Sequence, residues 1–540
     1  MSNNTKSSNK DNNSSKFTVK MKAETAGKIG LFSAIMIILG AMIGIGIFLK
    51  NGGVFRNNNG NPYGVLSSWI IVILIAICTA YSFGEISRIK TEANAGLGGW
   101  SSRYIGNRFG RFVRLTYPLM YYSIVTFAIT TILAELIFKV KYGEQNIPND
   151  INFWYIILVS FGVTILLVLF NYFCENILIK LTSILGIIKF IPIILFSIGA
   201  IVAFAMNIGN NMFIPGEHVS PTGETTYSGE FSIFGVFDSL PAIMFALDGF
   251  LIVGNISGKI NNPIRNVPIV IIVSMIISCV IYLFVTITQI LSCCPNIYEL
   301  FVALFGNESK VKDILTYILS GFMIIALVNA SFSLSFATMK SFEYSIDQDL
   351  LFSSKWLKRK LNGNKKFAAL IYLFILQIFY FLSISIISGV LQTDIFIDGT
   401  SNVIVVMMFF VYGFVALSSA INHFTKKIPQ SEVQYQKGQI VTCIISFIGC
   451  IFIPCWTLGW TFLGDPISNA NSNFNGWGLF YGDTNIKKWI VAIVFWSISI
   501  LLIAMPFFND LLIKLTDKNY NQPLLWQKLN KNNKIVSSIK

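Results

Sequence analysis

Long apolar runs separated by short polar connectors set the rhythm of this chain. Runs of about 18 to 25 residues, the length at which a helix crosses roughly 30 Å of hydrocarbon, fall near 29–49, 64–85, 113–138, 153–170, 183–206 and 233–256. Six more follow near 267–291, 314–339, 367–389, 400–422, 439–462 and 489–508. The pattern predicts an all-α polytopic membrane protein with about twelve transmembrane helices. The third run is the least regular, since Pro118 and Glu135 lie near its ends. Residues 1–28 are rich in Ser, Asn and Lys with no apolar stretch. They read as a disordered tail rather than a signal peptide or lipid anchor, which leaves the first run as its own insertion signal. Two connectors, 207–232 and 463–487, are rich in Asn, Gly and Ser and read as solvated surface loops.

Charge placement orients the runs. One set of connectors carries Lys6, Lys10, Lys16, Lys20, Lys22 and Lys28, then Arg88, Lys90, Arg103, Arg108, Arg111 and Arg114. The same side receives Lys259, Arg265, a cluster from Lys340 to Lys366, then Lys426, Lys427, Lys437 and a basic tail. On the other side, 207–232 and 390–399 hold no Lys or Arg at all. The positive-inside rule then makes both termini cytoplasmic, which requires an even number of spans. A plasma-membrane location is expected.

Composition narrows the function classes. The chain of 540 residues is 54% hydrophobic and only 12% charged, about half the charge of a soluble domain, so a bilayer must supply the apolar solvent. The net charge of +14 sits in connectors beside apolar runs, which points to lipid headgroups rather than nucleic acid. The eight cysteines are scattered, mostly inside apolar runs (Cys78, Cys174, Cys279, Cys443), with no metal-ligand spacing. His218 and His423 lie in connectors with no partner residues, so no metal site is expected. No phosphate-binding GxxxxGK[ST] loop and no HExxH helix occurs. The chain is therefore not expected to be an enzyme, and no cofactor is implied.

Candidate chemistry lies in three of the runs. The first reads Gly40-Ala41-Met42-Ile43-Gly44-Ile45-Gly46-Ile47-Phe48. Its glycines lower the cost of leaving helical geometry in mid-membrane, and a break frees backbone N–H groups for a substrate carboxylate. Gly40 and Gly44 also form a GxxxG pair that suits tight helix packing. The sixth run, Phe245-Ala246-Leu247-Asp248-Gly249-Phe250, places an acid and a glycine at a similar depth. Interrupted spans five apart fit two inverted five-helix repeats, 29–206 and 233–422, with a site between them. Spans at 439–508 and a basic cytoplasmic tail at 509–540 complete the expected division. Asp248 either faces a cavity and attracts a cationic group or a proton, or caps the inner half of a broken helix. Lys189 stands deep in the run from Ile184 to Met206. Its ammonium either pairs, exchanges a proton, or snorkels toward headgroups near Lys180. Glu85 and Glu135 sit at run ends, where headgroups and water are expected.

At these motifs the chain resembles the amino acid–polyamine–organocation superfamily of bacterial amino acid permeases. The family's first-span pattern, Gly-x-x-x-Gly-x-Gly-Ile-Phe, matches Gly40 to Phe48. Its sixth-span pattern matches Phe245 to Phe250, followed by Asn262-Pro263-Ile264-Arg265-Asn266-Val267-Pro268. An Asn followed eighteen residues later by Lys and then Pro is similar to Asn171, Lys189 and Pro192, and Asn329 stands where the family often has Asn-Gly. The resemblance, over roughly 25–510, implies a five-plus-five inverted repeat with broken first and sixth helices, two peripheral helices, and alternating access. It implies import of an amino acid, with the proton as coupling ion and Lys189 at the cation position of sodium-coupled relatives. Exchange, sodium symport and a non-transporting sensor are the alternatives. It also implies a substrate-binding set of Met42, Ile43, Gly44, Ile45, Gly46, Phe245, Ala246, Asp248 and Gly249. There Ile45 and Gly46 would offer N–H groups to the α-carboxylate, and the carbonyls of Met42, Phe245 and Asp248 would face the α-ammonium. A monomer is expected. The chain departs from the family at Gly258 and Lys259, where acidic residues are usual, which leaves the inner-gate salt bridge in question. Ile45 lacks a hydroxyl that some relatives carry, and Leu251 replaces a gating Glu.

Overall fold

The computed structural model describes residues 29–44, 51–142, 151–206, 211–221, 223, 226–294, 297–306, 308–429, 432–433, 436–474, 486–517, 520 and 524–525. Among these, eleven helices are long and apolar enough to cross a membrane, and the shorter apolar helix Leu31–Met42 occupies the first expected run. The chain is thus an all-α, multi-pass membrane protein. The long spans, second to twelfth, are Pro62–Ile86, Asn107–Lys141, Phe153–Phe173, Glu175–Ala205, Ile233–Lys259, Pro263–Ser292, Lys310–Asp347, Lys365–Leu391, Ile395–Thr425, Gln439–Ser468 and Lys488–Thr516. The expected tail 1–28, with Ile45, Gly46 and much of the final tail, lies outside the described residues. The twelfth helix continues to Thr516, past the boundary at 508 that hydropathy alone suggests.

Burial sorts the spans into a centre and a rim. In the third and sixth, 78% of the most apolar stretch is buried, against 33–39% in the fourth, fifth, eighth, ninth, eleventh and twelfth. The rim helices present Leu158, Ile194, Ile198, Ile375, Ile500 and Leu501 outward, a surface only an apolar solvent tolerates.

Local chemistry explains the irregular places. The second span starts with Asn61 accepting the Gly64 N–H at 2.9 Å, with Pro62 in the first turn, where its missing N–H costs nothing. In the third span Pro118 cannot donate to the carbonyl four residues back. The helix widens there into a π turn, Tyr117–Tyr121, in which the Tyr122 N–H reaches Tyr117. The fourth and fifth spans are joined by Cys174 alone, and Lys189 separates the two halves of the fifth, Glu175–Ile188 and Phe190–Ala205. Within the connector 207–232, His218–Val219 and Thr226–Tyr227 form a short antiparallel ribbon with His218 opposite Tyr227. Short helices Gly96–Tyr104 and Ser354–Lys360 lie on the face that carries the basic connectors.

Candidate functional site

Two of the central spans lose their helical hydrogen bonding in mid-course. The first ends at Met42, and Ile43 turns extended at φ −85°, ψ 90°. The sixth ends at Leu247. Asp248 is extended, Gly249 has φ +97°, and a 3-10 helix resumes over Phe250–Lys259. A residue with a Cβ is strained at that φ, so the glycine permits the break. A small cavity of about 30 Å³ lies between the two interruptions, lined among others by Met42, Gly44, Phe245, Ala246, Asp248 and Gly249. Six of the nine substrate-binding residues implied by the resemblance therefore share one cavity. Ile43 is not on its lining, and Ile45 and Gly46 fall outside the described residues. The remaining wall comes from Ala41, from Tyr121, Val125 and Ile129 of the third span, Ala330 and Leu334 of the eighth, and Val405 of the tenth. A volume near 30 Å³ suits one or two waters, well below the few hundred Å³ of a small-molecule site. This conformation is a collapsed one.

Among the described residues, Asp248 is the sole charged one on that wall. Its two oxygens accept hydrogen bonds from the Tyr121 hydroxyl at 2.5 Å and the Tyr412 hydroxyl at 3.1 Å. The Tyr117 hydroxyl lies 3.1 Å from that of Tyr412. The inner half of the sixth span takes Gly249 at its cap position, with no side-chain cap bond. The carboxylate thus anchors a buried knot of tyrosines and also accepts the backbone N–H of Gly249 at the break. The sequence signal for this knot was three tyrosines within six residues of an apolar run, Tyr117, Tyr121 and Tyr122. Tyr412 offered no such signal.

Lys189 is fully buried. Its Nζ donates to the carbonyl of Leu39 and, at 3.2 Å, to that of Ile43. The ammonium points into the end of the first span, not toward the headgroups as a snorkelling side chain would. The Met42 carbonyl accepts the Tyr282 hydroxyl at 2.8 Å. Gly40 and Gly44 pack against the eighth span, where a Cβ on Gly40 would come within 2.4 Å of Ser333 Oγ and 3.1 Å of Asn329 Nδ2. These two glycines therefore serve the close packing that a GxxxG pair allows.

Residues 29–482 match a family model described as amino acid permease. The chain belongs to the amino acid permease family. Among similar proteins, the glutamate/serine transporter AimA of Bacillus subtilis (strain 168) is 26% identical over 49% of this chain and 47% of its own length. The lysine-specific permease LysP of Lactococcus lactis subsp. cremoris is 25% identical over 47% and 48%. The aspartate-proton symporter of Bacillus subtilis (strain 168) is 24% identical over 48% and 47%. The chain spans about half the length of these curated relatives.

Several expectations about this family member need correction. Glu85 and Glu135 are fully buried rather than wetted at span ends. Glu85 meets His423 Nε2 at 3.0 Å and accepts the Gln436 N–H at 2.7 Å. His423 is thus partnered and sits in the last turn of the tenth span, not in a connector. His218 Nε2 lies 2.8 Å from the Ile214 carbonyl. Glu135 lies within electrostatic range of Asp394 and Asp398 at the start of the tenth span. Hydropathy hides such contacts because it reads each position without its spatial neighbours.

The basic face is closed beneath the cavity. Ile29 donates to the Lys259 carbonyl at 2.9 Å, and Asn261 donates back to Ile29 at 3.0 Å. The loop before Gly96 seals the same place, with the Gly258 N–H on Asn94 Oδ1 at 2.8 Å. The departure at Gly258 and Lys259 does not leave this region without ion pairs. Lys259 reaches Glu175 at 3.2 Å, and Lys340 and Lys366 converge on the same carboxylate at 3.0 and 3.4 Å.

Proposed function

We propose that this protein carries amino acids across the plasma membrane by alternating access, with both termini cytoplasmic and the proton as coupling ion. The observation that carries the reading is the ammonium of Lys189 resting on the carbonyls of Leu39 and Ile43, directly behind the cavity formed by Met42, Gly44 and Asp248. Charged, Lys189 ties the fifth span to the broken end of the first. Neutral, it loses most of that attraction, because an amine is a far weaker donor than an ammonium. Proton loss and first-span movement are coupled by that contact. While charged, the ammonium also opposes sodium at the same place.

The substrate's α-ammonium goes to the region of Asp248 and its α-carboxylate to the interrupted first span, where Ile45 and Gly46 are the expected donors. Side-chain preference follows from the wall. Val125, Ile129, Leu334 and Val405 are apolar and Ala330 is small, while Asp248 is already held by two tyrosines. That composition favours a neutral side chain over the cationic one that Asp248 alone suggests. The relatives named above are described as carrying glutamate or serine, lysine, and aspartate, so their shared feature is the amino-acid backbone.

The test is uptake of radiolabelled amino acids into proteoliposomes, with and without an inward proton gradient, beside Lys189→Met. Gradient-stimulated uptake of neutral amino acids that the variant loses is expected. Uptake indifferent to the gradient but dependent on internal amino acid would make the protein an exchanger and return Lys189 to a structural part. Absence of uptake in every condition, with folded protein, would overturn the transport reading.

A further inference from the structure

We propose that the cavity at the joint of the fourth and fifth spans binds the phosphate headgroup of an anionic phospholipid. The cavity has a volume of about 320 Å³ and is lined by Phe173, Cys174, Glu175, Asn176, Ile177, Lys259 and Lys366. It shares no wall with the central site. Its charge is incompletely balanced. Glu175 is shared by three lysines, and among the described residues only Lys340 has a second carboxylate, Glu343 at 2.9 Å. Lys259 and Lys366 stand at 3.2 and 3.4 Å from Glu175, each about one-third exposed. Each ammonium carries three protons against one carboxylate among the described residues, Glu175, with Lys366 also over the Tyr172 ring at 5.3 Å, and a phosphate oxygen between them adds a second acceptor to each.

The walls identify the rest of the ligand. Phe173 and Ile177 are 73% and 59% exposed on the two helices that flank the cavity, and both belong to membrane spans. Apolar side chains beside a pair of lysines at a span end match a lipid, with headgroup inside and acyl chain along the flank. A soluble phosphate would use the lysines and leave the apolar flank without a role. Basic pockets between spans on the cytoplasmic side hold anionic headgroups in this manner. The assignment to the cytoplasmic leaflet rests on the orientation proposed above; the site itself does not.

The test uses purified full-length protein in mild detergent, titrated with phosphatidylglycerol, phosphatidylcholine or inorganic phosphate and read by native mass spectrometry. Phosphatidylglycerol adducts should form at lower concentration than phosphatidylcholine adducts. Lys259→Gln with Lys366→Gln should weaken them roughly 30-fold, and Lys366→Gln alone roughly 5-fold, from about one lysine's worth of headgroup attraction each. Lys366→Arg should retain binding. If the double variant fails to fold, the single Lys366→Gln change decides. Equal binding of both lipids overturns the proposal, as does lysine-independent selectivity for phosphatidylglycerol. Inorganic phosphate that binds with the same lysine dependence and displaces the lipid would make this a soluble-anion site instead. None of these readouts depends on transport, so failure here is distinguishable from failure of the transport reading.

Discussion

Gly40→Ala offers a direct test of how the first span sits against the eighth. The added methyl would lie 2.4 Å from Ser333 Oγ, about 1 Å inside ordinary contact, and 3.1 Å from Asn329 Nδ2. Neither atom belongs to a long flexible side chain, so the helices must part slightly or the serine must turn. Overpacking of this kind costs about 1–3 kcal/mol, which is roughly a 5- to 150-fold loss in the folding equilibrium. The structure also names the remedy. Ser333 is fully buried and its Oγ has no hydrogen-bond partner among the described residues, so Ser333→Ala should be nearly neutral alone. In the Gly40→Ala background it removes the worst clash and should recover most of the loss, leaving only the milder Asn329 contact. The four proteins of this cycle would be compared by the fraction folded against rising SDS in mixed micelles, with uptake measured in parallel. Additive effects of the two changes would refute the reasoning, because residues in contact must couple. So would a Gly40→Ala protein as stable as the parent.

Three further outcomes follow from the same geometry. Asp248→Asn keeps the shape but removes the charge and one acceptor for the tyrosine pair; uptake should fall at least about tenfold while the protein stays folded, if about 1.4 kcal/mol of recognition is lost, and unchanged uptake would confine Asp248 to structure. At Gly249 a Cβ meets nothing closer than 3.5 Å, so Gly249→Ala should cost only the conformational penalty of about 1–2 kcal/mol; Gly249→Asn should be milder, and equal losses in detergent stability would contradict the break. Asp510 is fully buried and accepts Arg111 Nη2 at 2.6 Å and Nε at 3.0 Å. Asp510→Ala removes the carboxylate that holds this buried guanidinium and should cost about 3–5 kcal/mol, seen as loss of monodisperse protein, with Arg111→Met in the same chain recovering much of it.

The spans were legible because a bilayer imposes one strict rule, a long apolar helix, and eleven of the twelve expected runs became full-length helices. The sixth-span break was legible for a related reason: Asp248-Gly249 inside such a run has no comfortable helical explanation. Lys189 announced itself as a charge in hydrocarbon, but its partners did not, since the carbonyls of Leu39 and Ile43 belong to the backbone of a segment about 150 positions away. The tyrosine knot was missed because a hydroxyl in an apolar run costs little in hydropathy. The third-span wall of the cavity was missed for a different reason, Val125 and Ile129 being indistinguishable in sequence from lipid-facing residues. Nothing in the sequence singles out Glu175, because only the fold brings Lys259, Lys340 and Lys366 to it.

The π turn at Tyr117–Tyr121 bears on how this chain is compared with others. A π turn is one extra residue accommodated within a helix, and each residue of an α-helix advances by about 100° around its axis. Val125 and Ile129, which follow the turn, keep their place on the cavity wall because the wide turn absorbs that residue, whose insertion into a plain α-helix would swing them about 100° around the axis. A relative with an uninterrupted α-helix here needs a one-position gap at the turn to bring the cavity-lining residues into the same columns. Substrate preferences inferred column by column without that gap would compare residues on different faces of the helix.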